Sequence, residues 1–403
     1  MKVINRYKKF SLDILVSVLS NAIPVVVLQF IVYPVIANNI SINKNDAFLV
    51  VMSILHIIVP ATGIALCNTR LLNRKEQVDK NRSGDYMILL LIGGVINLFL
   101  VLIAGSVLIE ELKSIDILFI IILSIIWMTK DYALFFYREN LNFLSILVNN
   151  LILIVGFALG IGVFYFLSFE WYFIFLLGYI AAMIHILTTT SLLKERFVKT
   201  DRFIDTSRKA MMLSLSMLLG LLPSTVTSLI LYPYGASLVS IYYSASIMGK
   251  ILSMIHTPLS SVLVSYIVKI EKLSLKKYIN LTLIATIFGI LGYFVIIIVS
   301  KPILMLLYPL WSSESFLLVP FTAVIGICEF IIAIINPVIL RFCSLKWQII
   351  IKLYHSIILI VLGTIIISNS SLYNFAIFNM FLAISKVGII FLIGFLQLRK
   401  IDN

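Results

Sequence analysis

The sequence predicts an all-α polytopic membrane protein of about twelve transmembrane helices, arranged as two parallel six-helix halves around a central cavity. Three observations carry that expectation: the hydropathy of the whole chain, the confinement of basic residues to alternate loops, and a recurrence of proline and loop positions at a constant offset.

Apolar residues make up 61% of the 403 and charged residues only 12%, with a mean hydropathy of +1.12. An ordinary soluble domain carries about 25% charged residues. A water-soluble protein of this size cannot hide so much apolar surface, so part of its solvent must be lipid. A helical span takes roughly 20 apolar residues. Spans are expected at 11–37, 47–69, 87–109, 116–136, 142–167, 171–193, 211–232, 238–268, 279–299, 314–340, 347–368 and 372–396. The first follows a basic start (Lys2, Arg6, Lys8, Lys9) and is too long for a signal-peptide core, so it reads as a retained span. Cys67, Cys328 and Cys343 have neither metal-ligand nor disulfide-framework spacing, and no metal is expected.

Loop charge orients the chain. With the N-terminus cytoplasmic, 26 of the 31 Lys and Arg fall in inside segments, at 1–10, 70–86, 129–140, 194–209, 269–278, 341–352 and 397–403. Lys44, Lys113 and Lys301 fall outside, while Lys250 and Lys386 stand within spans. Cytoplasmic loops of membrane proteins carry such an excess. The net charge of +13 is thereby a topology signal and not a nucleic-acid signal, with contact to anionic lipid headgroups as a by-product.

The repeat has an offset of 199. Pro24 and Tyr33-Pro34 recur as Pro223 and Tyr232-Pro233, and the basic loop at Arg70 maps onto that at Lys269. The outer turn at Glu110–Asp116 maps onto 309–315, and that at 168–170 onto 367–369. His56 and Pro60 fall close to His256 and Pro258. Two six-span halves follow, 1–193 and 211–403, joined by a basic cytoplasmic linker at 194–210. Six spans is an even number, so both halves share one orientation, a pattern found in transporters. The prolines of spans 1 and 7 make these the candidate bending helices, static kinks being the alternative.

Ionisable residues in spans are costly and mark sites or partners. Lys250 stands roughly 18 Å along span 8 at 1.5 Å per residue, deep enough to hold an anionic group. Glu329 and Lys386, near the middles of spans 10 and 12, are candidates for a buried ion pair or an ion relay, and Asp13 in span 1 for proton sensing. Arg70 closes span 2 as an interface anchor or substrate clamp. Asn21 with Ser17, Ser20 and Gln29 in span 1, and Thr225 with Ser214, Ser216, Ser224, Thr227 and Ser228 in span 7, give each half a polar leading helix. Such residues suit a hydrated cleft or helix–helix hydrogen bonding. Phosphate-binding glycine loops, zinc patterns and nucleophile elbows are absent from the sequence, which leaves no nucleotide or other cofactor site to expect.

The twelve-span, two-half plan resembles the lipid-linked oligosaccharide flippases of the multidrug/oligosaccharidyl-lipid/polysaccharide exporter superfamily. So does the stretch Ile241-Tyr-Tyr-Ser-Ala-Ser-Ile-Met-Gly-Lys250, followed by Pro258 and Ser260-Ser261, and the run from Tyr137-Arg-Glu-Asn-Leu-Asn-Phe143 to Asn149-Asn150. The resemblance implies a non-enzymatic carrier in the bacterial cytoplasmic membrane, both termini inside. It would move an undecaprenyl-pyrophosphate-linked sugar repeat to the outer leaflet for surface polysaccharide assembly, alongside other assembly proteins. Lys250 would face the pyrophosphate, with Arg70 a weaker counterpart. Two alternatives stand beside it. A drug/ion antiporter of the same superfamily shares the plan. A membrane polysaccharide polymerase shares the hydropathy but carries a large external loop, unlike the short ones here.

The orientation is tested by reporter fusion. Alkaline phosphatase joined after Thr200 or Lys400 is expected to be inactive and joined after Glu170 active. The reverse pattern would invert the topology.

Overall fold

The computed structural model describes residues 16, 19–73, 83–107, 109, 111–250, 273–343 and 345–402. Asp13, Ser17, Glu110, His256, Pro258, Ser260 and Ser261 lie outside the described residues, as does most of the predicted eighth span. The helices are α1 (Leu19–Ala37), α2 (Ile42–Leu72), α3 (Ser83–Val107), α4 (Ser114–Glu139), α5 (Phe143–Leu167) and α6 (Tyr172–Thr189), then α7 (Phe203–Leu231), α8 (238–250), α9 (Leu275–Leu307), α10 (Ser312–Phe342), α11 (Leu345–Asn369) and α12 (Leu372–Asp402). No strand occurs among the described residues. Ten helices are long and apolar enough to cross a bilayer, and eleven when Phe203–Pro223 and Thr225–Tyr234 are taken as one broken span. The predicted spans other than the eighth each have a helical counterpart, and α8 is the described start of the eighth.

The two proline helices accommodate their prolines differently. Pro34 has no N–H to give, and the turn before it widens: Leu28–Val32 is π-helical, and the Tyr33 N–H reaches back to the Leu28 carbonyl. In α7, Pro223 lies inside the helix, and the Thr225 hydroxyl donates to the Leu221 carbonyl at 3.0 Å beside it. Pro233 then opens a 3₁₀ turn, Tyr232–Tyr234, which ends at Gly235 with φ +149°, a conformation open to glycine.

The chain forms two compact units. The first comprises residues as far as Asn39 together with Val50–Thr225, and the second Ile40–Leu49 together with Val226–Asn403. By contacts, then, the linker and α7 as far as Thr225 group with the first unit, whereas the sequence reading ended that half at 193.

Within the first unit α3 packs on α4, α4 on α6, and α5 on α6; within the second α9 packs on α10, α10 on α12, and α11 on α12. The same three pairings recur six helices on. α4 and α10 hold equivalent places, each with 67% of its most apolar window buried, whereas α3 and α9 retain only 22% and 17%. The outward residues of α9 are apolar, among them Leu283, Ile287, Phe288, Leu291 and Phe294, as a helix bordered by lipid requires.

Close approach in both units relies on small residues, as membrane helices commonly do. A Cβ on Gly156 would meet the Gly178 backbone, and one on Gly160 the Ile174 backbone, where α5 crosses α6. In the second unit a Cβ on Gly289 would strike Ile327.

The start of α2 is fastened inside the second unit. Asp46, buried, accepts hydrogen bonds from the Ser240 backbone N–H at 3.0 Å and from the Ser240 hydroxyl, while the Asn45 amide donates to Ser240 Oγ at 2.8 Å. These bonds account for the grouping of Ile40–Leu49 with α8. Losing a buried acceptor leaves its donors unpaired, at a cost of about 1–3 kcal/mol. Asp46→Ala is therefore expected to lower the thermal unfolding midpoint in detergent, more than Ser240→Ala does.

Candidate functional site

Helix α8 presents two faces. Tyr242, Ser244, Ala245, Met248 and Gly249 are buried, whereas Tyr243, Ser246 and Lys250 are half-exposed. The latter three follow i, i+3, i+7 spacing and so share one side of the helix.

The buried face is held against α10 and α12 by short-range polar contacts. The Ser244 and Ser315 hydroxyls meet at 2.6 Å, and Ser315 Oγ also donates to the Ile241 carbonyl at 3.1 Å. Thr322 Oγ1 donates to the Ala245 carbonyl at 2.9 Å, and the Asn379 amide donates to the Tyr242 hydroxyl at 2.6 Å. One turn further, Gly249 lies against Gly326: a Cβ on Gly249 would stand 2.6 Å from the Thr322 carbonyl oxygen. The small residues of the Tyr-Ser-Ala…Gly-Lys stretch thus set helix packing, and that packing fixes the register of Lys250. The Lys250 ammonium lies 4.3 Å from the centre of the Tyr243 ring. A cation over an aromatic face gains about 0.5–2 kcal/mol, the upper figure applying when desolvated.

Arg70 sits at the end of α2 in the first unit and is enclosed. Its guanidinium pairs two-pronged with Glu195, Nη1 to Oε2 at 2.8 Å and Nη2 to Oε1, and donates to the Tyr132 hydroxyl. Phe135 lies 4.1 Å beneath it, with Tyr86 and Phe136 alongside. Such a fork-to-carboxylate pair is geometrically specific. It belongs to a set of bonds that lay the basic linker on the first unit. The Thr200 N–H and hydroxyl donate to the two Asp85 carboxylate oxygens, and Lys209 Nζ donates to Asn73 Oδ1 at 3.0 Å. The Asn73 amide in turn donates to the Tyr86 hydroxyl at 2.9 Å.

Glu329 of α10 and Lys386 of α12 meet, with Nζ 2.7 Å from Oε1. Helix α11, which packs on α12, carries Lys352 and the buried His355. Lys352 falls where the expected span 347–368 and the inside basic segment 341–352 overlap; α11 begins at Leu345, and its apolar span from Ile349 includes that lysine. Asn21 is exposed on α1, and Thr225 spends its hydroxyl on its own helix beside Pro223. Lys250 lies in the second unit with the Glu329–Lys386 pair, whereas Arg70 and Asn21 lie in the first. Among the described residues, no three His, Cys, Asp or Glu side chains gather as metal ligands would.

Sequence reasoning missed several polar groups. Lys130 and Asp131, adjacent in α4, form a buried pair at 3.0 Å, with Lys130 over the Tyr179 ring. Trp127 stacks on Tyr179, and His56 meets Tyr33 at 3.2 Å. By loop charge alone Lys130 falls in the inside segment 129–140. Its neighbour Asp131, an acid inside an apolar run, was the available signal.

No family model matches the sequence, and no curated protein sequence matches it. Solved structures do resemble it in fold. A multidrug resistance MATE family transporter of the MOP superfamily in an inward-facing conformation superposes with a TM-score of 0.66 at 12% identity, over 95% of this chain and 97% of its own. An outward-facing conformation of a multidrug resistance MATE family transporter of the MOP superfamily gives 0.62 at 13%, over 97% and 96%. A MOP superfamily transporter from Pyrococcus furiosus Vc1, described as having a binding pocket of reverse polarity that suggests a different function, gives 0.61 at 12%, over 96% and 95%.

The α8–α10 crossing is tested by Gly249→Ala, expected to lower the unfolding midpoint in detergent. Gly388→Ala, at a position with open space around it, is expected to leave the midpoint unchanged or raise it. Nearly end to end, the chain carries the all-α, two-lobe fold of the MATE transporters.

Proposed function

We propose that this protein is a membrane carrier, not an enzyme, that moves a polyprenyl-pyrophosphate-linked oligosaccharide from the inner to the outer leaflet of the bacterial cytoplasmic membrane. Both termini are cytoplasmic in this reading, and surface polysaccharide assembly proteins act around it. The single observation that carries the proposal is Lys250, a cation inside the span region, held in register by the Gly249–Gly326 contact and set on the half-exposed face of α8 with Tyr243 and Ser246.

The physical task fits such a face. Carrying a pyrophosphate through hydrocarbon requires compensating positive charge, because an isolated anion in a low-dielectric medium costs many kcal/mol. An ammonium supplies that charge with no covalent step. Tyr243, beside the cation, offers an aromatic face to a sugar ring. Asn21 is an exposed hydrogen-bonding group on α1 of the first unit. Arg70 and Thr225 take supporting parts in this reading, the first holding the linker through Glu195 and the second bracing the α7 kink.

A second reading, a drug/ion antiporter, draws on the fold, since the solved neighbours include multidrug transporters. The sign of the charge on α8 favours the anionic cargo over a cationic drug.

The decisive experiment is deletion of the gene, followed by measurement of lipid-linked repeat units at the inner leaflet. Their accumulation is expected. Intact glycan export with raised drug sensitivity would establish the antiporter instead. Lys250→Met is expected to abolish export while leaving membrane insertion and the unfolding midpoint near those of the parent. Full export by that variant would remove Lys250 from the site.

A further inference from the structure

The segment between α6 and α7 is a strap laid on the first unit. It runs from the end of α6 at Thr189 to the start of α7 at Phe203 and holds no helix apart from one 3₁₀ turn, Leu192–Lys194. Three contacts within the first unit press it down. Glu195 forks onto Arg70, with Oε2 2.8 Å from Nη1. The Val198 backbone lies on Gly84, where a Cβ would stand 2.2 Å from the Val198 carbonyl oxygen. The Thr200 N–H donates to Asp85 at 2.8 Å, and the Thr200 hydroxyl donates to the other carboxylate oxygen.

Fastened in this way, the strap still leaves a mixed set of side chains uncovered. Leu193, Phe197 and Val198 keep 74%, 55% and 48% of their surface exposed. Lys194, Arg196, Lys199 and Arg202 are exposed among them, and the Lys199 ammonium lies 5.4 Å from the centre of the Phe203 ring. The four make no salt bridge among the described residues. Of the two acids of the strap, Glu195 is spent on Arg70, and Asp201 is exposed. Further on, the exposed Asp205 of α7 is followed by exposed Arg208 and Lys209. Both flanking helices are apolar enough to cross a bilayer, α7 as a broken span. The strap therefore lies at the level where spans end. Lipid phosphates and the upper acyl chains meet there, and together they satisfy both kinds of side chain. Water would satisfy only the cations.

We propose that the strap Leu192–Arg202 is an interfacial binding surface for anionic phospholipids of the leaflet at that end of the first unit. Lys194, Arg196, Lys199 and Arg202 engage headgroup phosphates, while Leu193, Phe197 and Val198 enter the boundary beneath them. Charge complementarity selects the occupant, because a zwitterionic headgroup brings no net charge to the four cations. An acidic peptide also matches the cations, but a bilayer is present wherever two spans end. The assignment is narrower than the general attraction of basic loops to a membrane. It places the affinity on one pinned segment and makes it depend on apolar side chains as well as on charge. It is independent of the cargo reading.

Native mass spectrometry of the detergent-solubilised protein reads lipid binding directly, with dioleoylphosphatidylglycerol, dioleoylphosphatidylcholine and a polyglutamate peptide as probes. The parent is expected to bind phosphatidylglycerol about tenfold more tightly than phosphatidylcholine. Arg196→Gln/Lys199→Gln is expected to weaken phosphatidylglycerol binding by about tenfold. Lys276→Gln/Lys277→Gln removes the same charge from the exposed start of α9 and is expected to change it little. Phe197→Ser, which alters no charge, is expected to weaken binding of both lipids by about threefold or more. Equal binding of the two lipids, parent-like binding by the strap variants, or an equal loss from the α9 variant would each overturn the proposal, the last by reducing it to general electrostatics. Tighter binding of polyglutamate than of phosphatidylglycerol would also overturn it, in favour of an acidic protein partner.

Discussion

A positive charge held within a helix that crosses lipid needs a counter-charge, an aromatic face or a wet cavity, because hydrocarbon solvates it so poorly. The cations of this chain meet that demand in different ways. Arg70 is enclosed by Glu195, Tyr132 and a floor of Phe135. Lys130 is paired with its own neighbour Asp131. Lys386 is paired across helices with Glu329, and Lys250 lies over Tyr243 on a half-exposed helix face. The first two are sealed, and they fasten helices and linker. In the last two the surroundings are less closed: Glu329, the partner of Lys386, keeps 37% of its side chain exposed, and Lys250 stands on a half-buried helix face. Breaking a sealed pair strands a charge and costs several kcal/mol.

The backbone serves the placement of these charges. Without a hydrophobic effect between helices in lipid, α5 closes on α6, and α8 on α10, through glycines and small hydroxyl side chains. Where backbones approach that closely, a one-residue shift along the helix would put side chain against backbone. Lys250 follows directly on such a contact at Gly249, so steric exclusion there fixes its register along the helix. The same economy appears in the linker. Its six basic residues suggest a loose, solvated tether, yet Glu195, Thr200 and Lys209 bind it to Arg70, Asp85 and Asn73.

Much of the fold was legible in the sequence, because span length and loop charge are properties of composition summed over many residues. The helices at 42–72 and 114–139 fall within a few residues of the expected spans, and the recurrence of three helix pairings matches the repeat seen in the loops. Individual side-chain partners were not legible in that way. Glu329 and Lys386 lie 57 residues apart and were paired only as a guess from depth. Glu195 as the partner of Arg70 and Ser240 as the partner of Asp46 depend on packing that hydropathy does not encode. The extent of the first unit was also beyond composition: a charged linker looks like a boundary whether or not hydrogen bonds fasten it.

The fold narrows the function less than the charges do. Solved structures at 12–13% identity trace the same path through nearly the whole chain, and a shared backbone at that identity fixes neither cargo nor direction. What distinguishes carriers of one architecture is the sign and exposure of a few side chains that the scaffold holds in place. An ammonium on the half-buried face of α8 attracts an anion and repels a cation, by an interaction that strengthens as water is excluded. An acidic residue at position 250, on the same α8 and against the same α10, would invert that preference without altering the packing of Gly249 on Gly326. What such a helix face attracts therefore rests on chemistry that the helix architecture positions but does not dictate.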